Sequence, residues 1–361
     1  MKKANTLLIL SLWAVLTLFA WFQPAKANSD AERRPLAQMP EISVNSLLSG
    51  SFMADFEDYT LDQFPLRDSF RTLKSLFHRH ILGQKDNNGI YLSHGYAAKQ
   101  EYPLKEASLH HALDRFQQLH DKYLEDSDIF LAIVPDKGYY LAETAGNLSL
   151  DYEEFYAYFR ENMPWATHID LRDSLKLEDY YRTDTHWRQE NLLPAAGEIC
   201  KIMGISPPKT EDFTKTVLER PFYGVYYGQA ALPMEPDRLC YLENEMLANC
   251  TVFDHETGKT GSIYDLSKAD GKDMYELFLS GPRSLLTIEN PAANSQKELI
   301  VFRDSFASAM IPLIAADYAK ITLVDIRYIQ LGVLDRFIDF SGQDVLFLYS
   351  TLVLNNSETI K

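Results

Sequence analysis

Continuous apolar runs alternate with amphipathic segments along most of the chain. Apolar runs that end at polar turns occupy residues 129–134, 299–302, 321–324 and 345–348. Apolar residues at helical spacing occupy stretches at about 70–81, 109–124, 153–162, 188–203, 306–319 and 329–339. Continuous apolar strands that alternate with helices are typical of a parallel sheet covered on both faces. The pattern therefore predicts an α/β domain with a parallel sheet and helices on both faces.

The N-terminus has the pattern of an export signal. Lys2 and Lys3 precede an apolar run from Thr6 to Phe22, and Ala25-Lys26-Ala27 places small residues at the usual cleavage positions. The run of about seventeen residues is at the short limit for crossing a bilayer. We expect cleavage after Ala27, with retention of residues 1–27 as an N-terminal anchor as the alternative. Both predict a secreted or cell-surface protein outside the cytoplasmic membrane.

The rest of the chain divides by its pattern. Residues 28–60 are polar and irregular, and residues 61–361 carry the α/β alternation. Residues 209–296 interrupt it, because they are rich in Gly, Tyr, Asn and Asp. We interpret them as an insertion of loops and short strands.

Composition and charge narrow the classes of function. Hydrophobic residues make up 46% of the 361, which is enough for a sizeable core. The 51 acidic residues outnumber the 35 basic ones, giving a net charge of −16. This balance argues against nucleic-acid binding, which needs a basic surface.

The three cysteines are too few for a disulfide framework. Cys240 and Cys250 could pair across a short loop and leave Cys200 alone, or all three could be unpaired thiols. None lies in the sequence context of a catalytic cysteine.

One strand end carries a candidate nucleophile. The apolar run 299–302 leads into Arg303-Asp304-Ser305 and then into an apolar helical stretch. Functional groups collect at the carboxyl ends of parallel strands, and a helix N-terminus offers free N–H groups to a developing oxyanion. Ser305 is therefore a candidate nucleophile. The alternative is that Asp304 and Ser305 only cap the helix.

A second segment supplies a candidate base. Asp184 and His186 are two residues apart, just before a helical stretch. This spacing lets a carboxylate hold the Nδ1–H of an imidazole and leaves Nε2 free as a general base. With Ser305 the pair completes a Ser/His/Asp set. We find no phosphate-binding loop, no dinucleotide fingerprint and no metal-ligand motif, so we expect neither a cofactor nor a metal.

Several motifs in order resemble the DHHW family of SGNH-hydrolase-like proteins, relatives of the alginate O-acetyltransferases. They are Glu32-Arg33-Arg34-Pro35-Leu36, Asp62-Gln63-Phe64-Pro65-Leu66-Arg67, Asn88-Gly89-Ile90-Tyr91-Leu92, Val134-Pro135-Asp136-Lys137, Asp184-Thr185-His186-Trp187, Arg303-Asp304-Ser305-Phe306 and Asp325-Ile326-Arg327-Tyr328. The second position of the naming motif is Thr185 instead of His. Asp184 and His186, which correspond to the functional pair of the related acetyltransferases, are retained. They precede Ser305, as in the alginate acetyltransferase branch.

The resemblance implies a three-layer SGNH-hydrolase-like fold and a serine-dependent O-acetyltransferase or acetylesterase acting on an exported or cell-surface polysaccharide. Relatives often work beside a membrane-bound O-acyltransferase, which is a possible partner besides the polysaccharide acceptor. Candidate oxyanion or substrate contacts, chosen by position, are Lys137, Arg327, Asn355 and Phe306. For Arg327 a salt bridge to a nearby acid is the alternative.

A second hypothesis is a non-catalytic polysaccharide-binding or assembly protein on the same fold. The stretch Phe222-Tyr223-Gly224-Val225-Tyr226-Tyr227 could stack on sugar rings or could be part of the core.

Overall fold

A computed structural model describes residues 2–361. Met1, the first residue of the predicted export signal, lies outside the described residues. The α-helices are α1 Lys2–Phe22, α2 Val44–Ser49, α3 Ser51–Asp62, α4 Arg67–His80, α5 Glu106–Leu119, α6 Gly138–Ala145, α7 Tyr152–Asn162, α8 Leu193–Met203, α9 Val225–Ala230, α10 Glu245–Asn249, α11 Ala307–Met310 and α12 Thr351–Leu354. The strands are β1 Asn28–Ser29, β2 Arg34–Pro35, β3 Asp86–Asn87, β4 Ile90–Ser93, β5 Tyr96–Lys99, β6 Ile129–Val134, β7 Thr167–Asp170, β8 Thr214–Phe222, β9 Asp237–Glu243, β10 Thr251–Asp254, β11 Lys259–Gly261, β12 Leu285–Glu289, β13 Lys297–Arg303, β14 Tyr318–Val324 and β15 Asp344–Ser350.

The chain forms two compact units. The first contains residues 2–88 and Tyr227–Met234, and the second contains Gly89–Tyr226 and Glu235–Lys361. Residues 61–88, which the sequence pattern assigns to the α/β domain, lie in the first unit. Its helix α1 is long and apolar enough to cross a membrane, and an ion pair of Arg34 with Asp62 joins β2 to α3.

An eight-stranded sheet forms the centre of the second unit. The strand order is β11-β10-β12-β14-β13-β15-β6-β7. The five strands from β14 to β7 are parallel, and β12, β10 and β11 extend the sheet in antiparallel pairing. The parallel strands end at the same edge of the sheet. There Asp304 follows β13, and Ser350 is the last residue of β15.

Alternate side chains of these strands lie in two hydrophobic clusters, one on each face of the sheet. On β13, Val301 belongs to a cluster that includes Ile199 of α8. Its neighbour Phe302 belongs to the opposite cluster, which includes Phe116 of α5 and Phe155 of α7. Since successive side chains of a strand point to opposite faces, helices cover both sides of the sheet. This confirms the predicted three-layer α/β fold.

The structure differs from the sequence pattern at several places. The segment 28–60, predicted as irregular, contains α2 and most of α3, and the predicted helix at 329–339 is only a 3₁₀ helix, Leu331–Arg336. The predicted helix at 306–319 is the short α11 followed by a 3₁₀ helix, Ile311–Asp317, because Pro312 cannot continue the α-helical hydrogen bonds. The predicted helix at 188–203 begins only at Leu193. Within the predicted insertion at 209–296, β10, β11 and β12 belong to the main sheet as its antiparallel extension.

Candidate active site

Ser305 lies in a tight turn between β13 and α11. The turn is closed by Asp304, whose Oδ1 accepts the N–H of Phe306 at 2.9 Å. Its Oδ2 accepts both the N–H and the hydroxyl of Ser350, each at 2.7 Å, and so ties the end of β13 to the end of β15. In the part of the chain that the structure describes, the N–H of Ser305 donates to no other group. This N–H is available to a carbonyl oxygen beside Ser305.

The three candidate catalytic side chains form one hydrogen-bonded chain. The Nε2 of His186 is 2.8 Å from the Oγ of Ser305, and its Nδ1 is 2.6 Å from Oδ1 of Asp184. Asp184 is fully buried, whereas Ser305 is only half-buried. With the proton on Nδ1, Nε2 of His186 accepts the Ser305 proton, as nucleophilic catalysis requires. The structure thus brings these three residues together, and their catalytic roles stay predictions.

Backbone contacts hold the Asp184 carboxylate in place. Its Oδ1 also accepts the N–H of His186 at 3.0 Å, and its Oδ2 accepts the N–H of Val225 at 2.8 Å. Gly224 packs directly on Asp184, since a Cβ at Gly224 would lie 2.2 Å from the Cβ of Asp184. A glycine is therefore required at 224 for this close approach.

Asp237 holds the loop that precedes Asp184. Its carboxylate accepts the N–H groups of Arg182 and Thr183 at 2.9 and 2.8 Å and the hydroxyl of Thr183 at 2.6 Å. The Oγ of Thr183 in turn accepts the N–H of Gly224 at 2.9 Å. Neither Asp237 nor Gly224 was expected at the site, because each is forty or more residues from its partner, and Gly224 was noted only as part of the aromatic stretch at 222–227.

Lys137 supports the same loop from the other side. Its buried Nζ donates to the carbonyl oxygens of Tyr181, at 2.8 Å, and Asp184, at 2.6 Å. Burial lowers the pKa of Lys137 to about 7, while the nearby carboxylates of Asp184 and Asp237 act in the opposite direction. These contacts occupy the ammonium group, so the structure gives Lys137 a positioning role at Asp184 instead of the oxyanion contact expected from its position.

Aromatic side chains fix the imidazole of His186. The ring of Tyr275 stacks on it with centroids 3.8 Å apart and planes within 7°, and the ring of Phe306 lies 5.1 Å away. Trp187 donates its Nε1–H to the carbonyl of Phe306 at 3.0 Å. The second position of the naming motif, Thr185, accepts the hydroxyl of Tyr226 at 3.0 Å. These contacts restrict rotation of the ring that faces Ser305.

The other positional candidates have different partners. Both N–H groups of the Asn355 amide donate, to Glu101 and to the carbonyl of Pro103, so Asn355 keeps no donor for an oxyanion. Arg327 forms a two-point ion pair with Asp325 at 2.8 and 2.6 Å, which is the alternative considered for it. Phe306 contributes its ring, and its N–H is bound to Asp304. These contacts leave Asn355 without a donor for the expected oxyanion role, and a substrate contact of Phe306 through its ring stays a prediction.

The three cysteines do not have the environment of catalytic thiols. All three cysteines are unpaired and buried. Burial raises the pKa of Cys200 to about 12 and those of Cys240 and Cys250 to about 11, which makes poor nucleophiles. Within residues 2–361 no group of three or more His, Cys, Asp or Glu side chains is placed to hold a metal ion.

A largely parallel sheet between two helical layers is the SGNH-hydrolase-like fold, and here a serine at a strand end faces an Asp-x-His pair. Similar folds occur in solved structures. A DHHW family protein from Eubacterium siraeum superposes with a TM-score of 0.61 at 23% identity, over 76% of this chain and 95% of that one. PatB1 of Bacillus cereus gives a TM-score of 0.61 at 19% identity, over 75% and 98%. The same protein with a sulfonyl adduct gives 0.59 at 18%, over 73% and 95%.

The family is indicated by the sequence itself. Residues 154–324 match a sequence model of the DHHW family, whose members are described as DHHW proteins. The matched segment includes Asp184, His186 and Ser305. The resemblance to the DHHW family is thus confirmed over this part of the chain. No curated protein sequence matches the chain.

Proposed function

We propose that this protein is a serine-dependent O-acetyltransferase or acetylesterase that acts on an exported or cell-surface polysaccharide. The observation that carries the proposal is the chain of contacts from Asp184 through His186 to Ser305, at 2.6 and 2.8 Å. The family resemblance supports acetyl as the group that is moved. A membrane-bound O-acyltransferase is the proposed partner that supplies it.

In the first half-reaction Ser305 Oγ attacks the carbonyl carbon of an acetyl donor. Its proton passes to Nε2 of His186, and the carbonyl electrons move to the oxygen, which accepts the Ser305 N–H. When the tetrahedral intermediate collapses, the bond to the leaving group breaks and that group takes the proton from His186. Ser305 is left as an acetyl ester, and Asp184 balances the positive charge that His186 carries meanwhile.

The second half-reaction decides between transfer and hydrolysis. A sugar hydroxyl or a water molecule gives its proton to His186 Nε2 and attacks the acetyl carbon. The bond from carbon to Ser305 Oγ breaks, and Oγ recovers the proton from His186. The same residues therefore serve both activities, and the acceptor that reaches Ser305 determines the product.

A non-catalytic sugar-binding role receives less support. It relied on the aromatic stretch at 222–227, in which Phe222 and Tyr226 are buried. These two rings offer no face to a polysaccharide, which leaves Tyr223, an exposed residue, and the half-buried Tyr227 to contact sugar. We therefore keep the enzymatic proposal alone.

Covalent labelling of Ser305 tests the proposal directly. Purified protein is treated with a fluorophosphonate or a sulfonyl fluoride, and the adduct is located by mass spectrometry. Release of acetate from an aryl acetate is then compared for the wild type, Ser305→Ala and Ser308→Ala. Ser308 is a matched control, because it lies in the same short segment and contacts Arg303 instead of His186.

We expect the adduct on Ser305 and a rate loss of roughly 10³-fold or more for Ser305→Ala only. Equal rates in all three folded proteins, or an adduct elsewhere, would contradict the proposal. If the adduct is on Ser305, acetyl transfer to oligosaccharide acceptors of different charge and linkage would identify the polysaccharide.

A further inference from the structure

Helix α4 turns its apolar face toward solvent. Leu66, Phe70, Leu73, Phe77 and Ile81 follow one another at helical spacing, and all of them are exposed, Leu73 by 61%. The one buried residue of α4 is a serine, Ser75. A helix of a soluble protein normally buries its apolar stripe and exposes its polar face. In α4 this orientation is reversed.

Polar contacts hold α4 in this orientation. Asn87 donates to the hydroxyl of Ser75 at 2.8 Å. Arg71 donates to the carbonyl of Gly228 at 2.9 Å and lies 3.3 Å from the carboxylate of Glu32. These contacts are all on the side of the helix opposite to Leu73 and Phe77. The outward apolar face is therefore specified by the structure.

The charge of α4 differs from that of the whole chain. The helix carries four basic residues, Arg67, Arg71, Lys74 and Arg79, and one acidic residue, Asp68, in a protein of net charge −16. A basic helix with an exposed apolar face is the pattern of helices that lie in the interface of an anionic membrane. Arg67 and Arg71 are ion-paired with Glu32 and Asp62, so the positive charge beside the apolar face comes from Lys74. Two copies of this chain that paired through this face would bring two Lys74 side chains together, which disfavours self-association.

The position of α4 in the chain agrees with a membrane as the ligand. Helix α1 is apolar enough to cross a bilayer and ends at Phe22. Four residues later the N–H of Lys26 donates to the side chain of Gln63 at 2.9 Å, and that side chain donates back to the carbonyl of Lys26 at 2.9 Å. Four residues span at most roughly 14 Å. The segment that begins α4 is thus held close to the point where α1 would leave the membrane.

We propose that α4 binds the surface of an anionic membrane, with Leu66, Phe70, Leu73, Phe77 and Ile81 among the acyl chains and Lys74, at the edge of this stripe, near the headgroups. Binding in this orientation buries the exposed stripe without rearranging the helix. The proposal does not depend on the proposed catalytic function. A chain that loses α1 by cleavage would keep this second membrane contact.

Lipid quenching at two positions of α4 tests the proposal. The full chain is reconstituted in nanodiscs with Leu73→Cys or Asp68→Cys labelled by an environment-sensitive maleimide dye. The native cysteines are buried, so unmodified protein measures background labelling. Asp68 is exposed on the opposite side of the same helix, which makes it the matched control. Doxyl-labelled lipids are included in discs of phosphatidylcholine with and without phosphatidylglycerol.

We expect several-fold stronger quenching at position 73 than at position 68, increasing with phosphatidylglycerol. Lys74→Glu in the Leu73→Cys background should reduce the quenching by at least about twofold. Equal quenching at both positions, or no response to phosphatidylglycerol, would overturn the proposal. Shielding of the dye without lipid quenching would also overturn it. Shielding that grows with the number of copies per disc would mean that a second copy of the chain binds this face. Shielding that needs a co-reconstituted acyltransferase would mean that a protein partner binds it.

Discussion

The Oδ2 of Asp184 accepts the N–H of Val225 at 2.8 Å, while its Oδ1 contacts His186. The two oxygens of one carboxylate thus have separate functions. One orients the imidazole, and the other fixes the carboxylate to a loop forty-one residues further along the chain. We therefore expect a change at Gly224, which has no side chain in the site, to affect the position of this carboxylate.

Gly224→Ala is expected to damage the site without a direct chemical change. A Cβ at this position would lie 2.3 Å from the Cα of Asp184 and 2.5 Å from its N, so the backbone of Asp184 must move. We predict a fall in kcat of roughly 10²-fold, the size typical of a shift of about 1 Å. Gly197→Ala is the control, because a Cβ there meets nothing within 4 Å. Similar kinetics in the two variants would show that the close approach is dispensable.

Asp184→Asn is expected to lower the rate by up to about 10⁴-fold. An amide has one acceptor, so its NH₂ must face either the imidazole or the N–H of Val225. Facing His186 Nδ1, it would donate and leave the ring proton on Nε2, where it blocks acceptance from Ser305. Facing Val225, it would place two donors together at a cost of about 1–3 kcal/mol. Steady-state kinetics with a thermal melt distinguish lost chemistry from lost folding, and a near wild-type rate would remove Asp184 from the mechanism.

Asp304→Asn tests how the nucleophile is held. The buried carboxylate receives three donors, from Phe306 and from the backbone and hydroxyl of Ser350. An amide must turn its NH₂ toward at least one of them, so the turn around Ser305 is expected to loosen and kcat to fall roughly tenfold or more. The rate of fluorophosphonate labelling of Ser305 should fall in parallel. A lower melting temperature with an unchanged labelling rate would assign Asp304 to stability alone.

Lys137 predicts a specific pH dependence of stability. Burial lowers its pKa to about 7, whereas an unfolded lysine titrates at about 10.4. Between these values the unfolded chain binds more protons than the folded one, so the Lys137 contribution to stability rises with pH there and is lost as pH falls toward 7. Denaturant unfolding at pH 7 to 10 should show a steeper rise for the wild type than for Lys137→Met. An equal rise in the two proteins, or a steeper rise for Lys137→Met, would mean that the carbonyl groups of Tyr181 and Asp184 keep Lys137 charged.

The parts of the site that the sequence could predict are local. Ser305 follows an apolar strand within a few residues, and Asp184 and His186 are two residues apart, so spacing alone suggests their chemistry. Arg327 and its partner Asp325 are equally close, and their ion pair was one of two expectations. The partners of the Asp184–His186 and Asp325–Arg327 pairs lie within one turn, whereas the contact of His186 with Ser305 joins residues 119 apart and was expected from the chemistry of the three side chains.

The parts that the sequence could not predict depend on long-range contacts. Lys137 and its acceptor Asp184 are 47 residues apart, and Asn355 and its acceptor Glu101 are 254 apart. The residues next to Lys137 and Asn355 in the sequence do not show which distant oxygen atoms accept their hydrogen bonds. The short strands of residues 251–289 could not be assigned to the main sheet for the same reason. Pairing of β12 with β14, of β10 with β12 and of β11 with β10, rather than their own composition, places them in it.

In the turn at Asp304, the groups that stabilise the backbone are different from the proposed reacting group. Asp304 closes the turn through the N–H of Phe306, and the turn itself uses no side-chain atom of the residue between them. The side chain at position 305 can thus be substituted without a change in the backbone of the turn. A thiol introduced there by Ser305→Cys would meet the same imidazole from the same direction. A different nucleophile can therefore replace the serine in a descendant of this chain without a new fold.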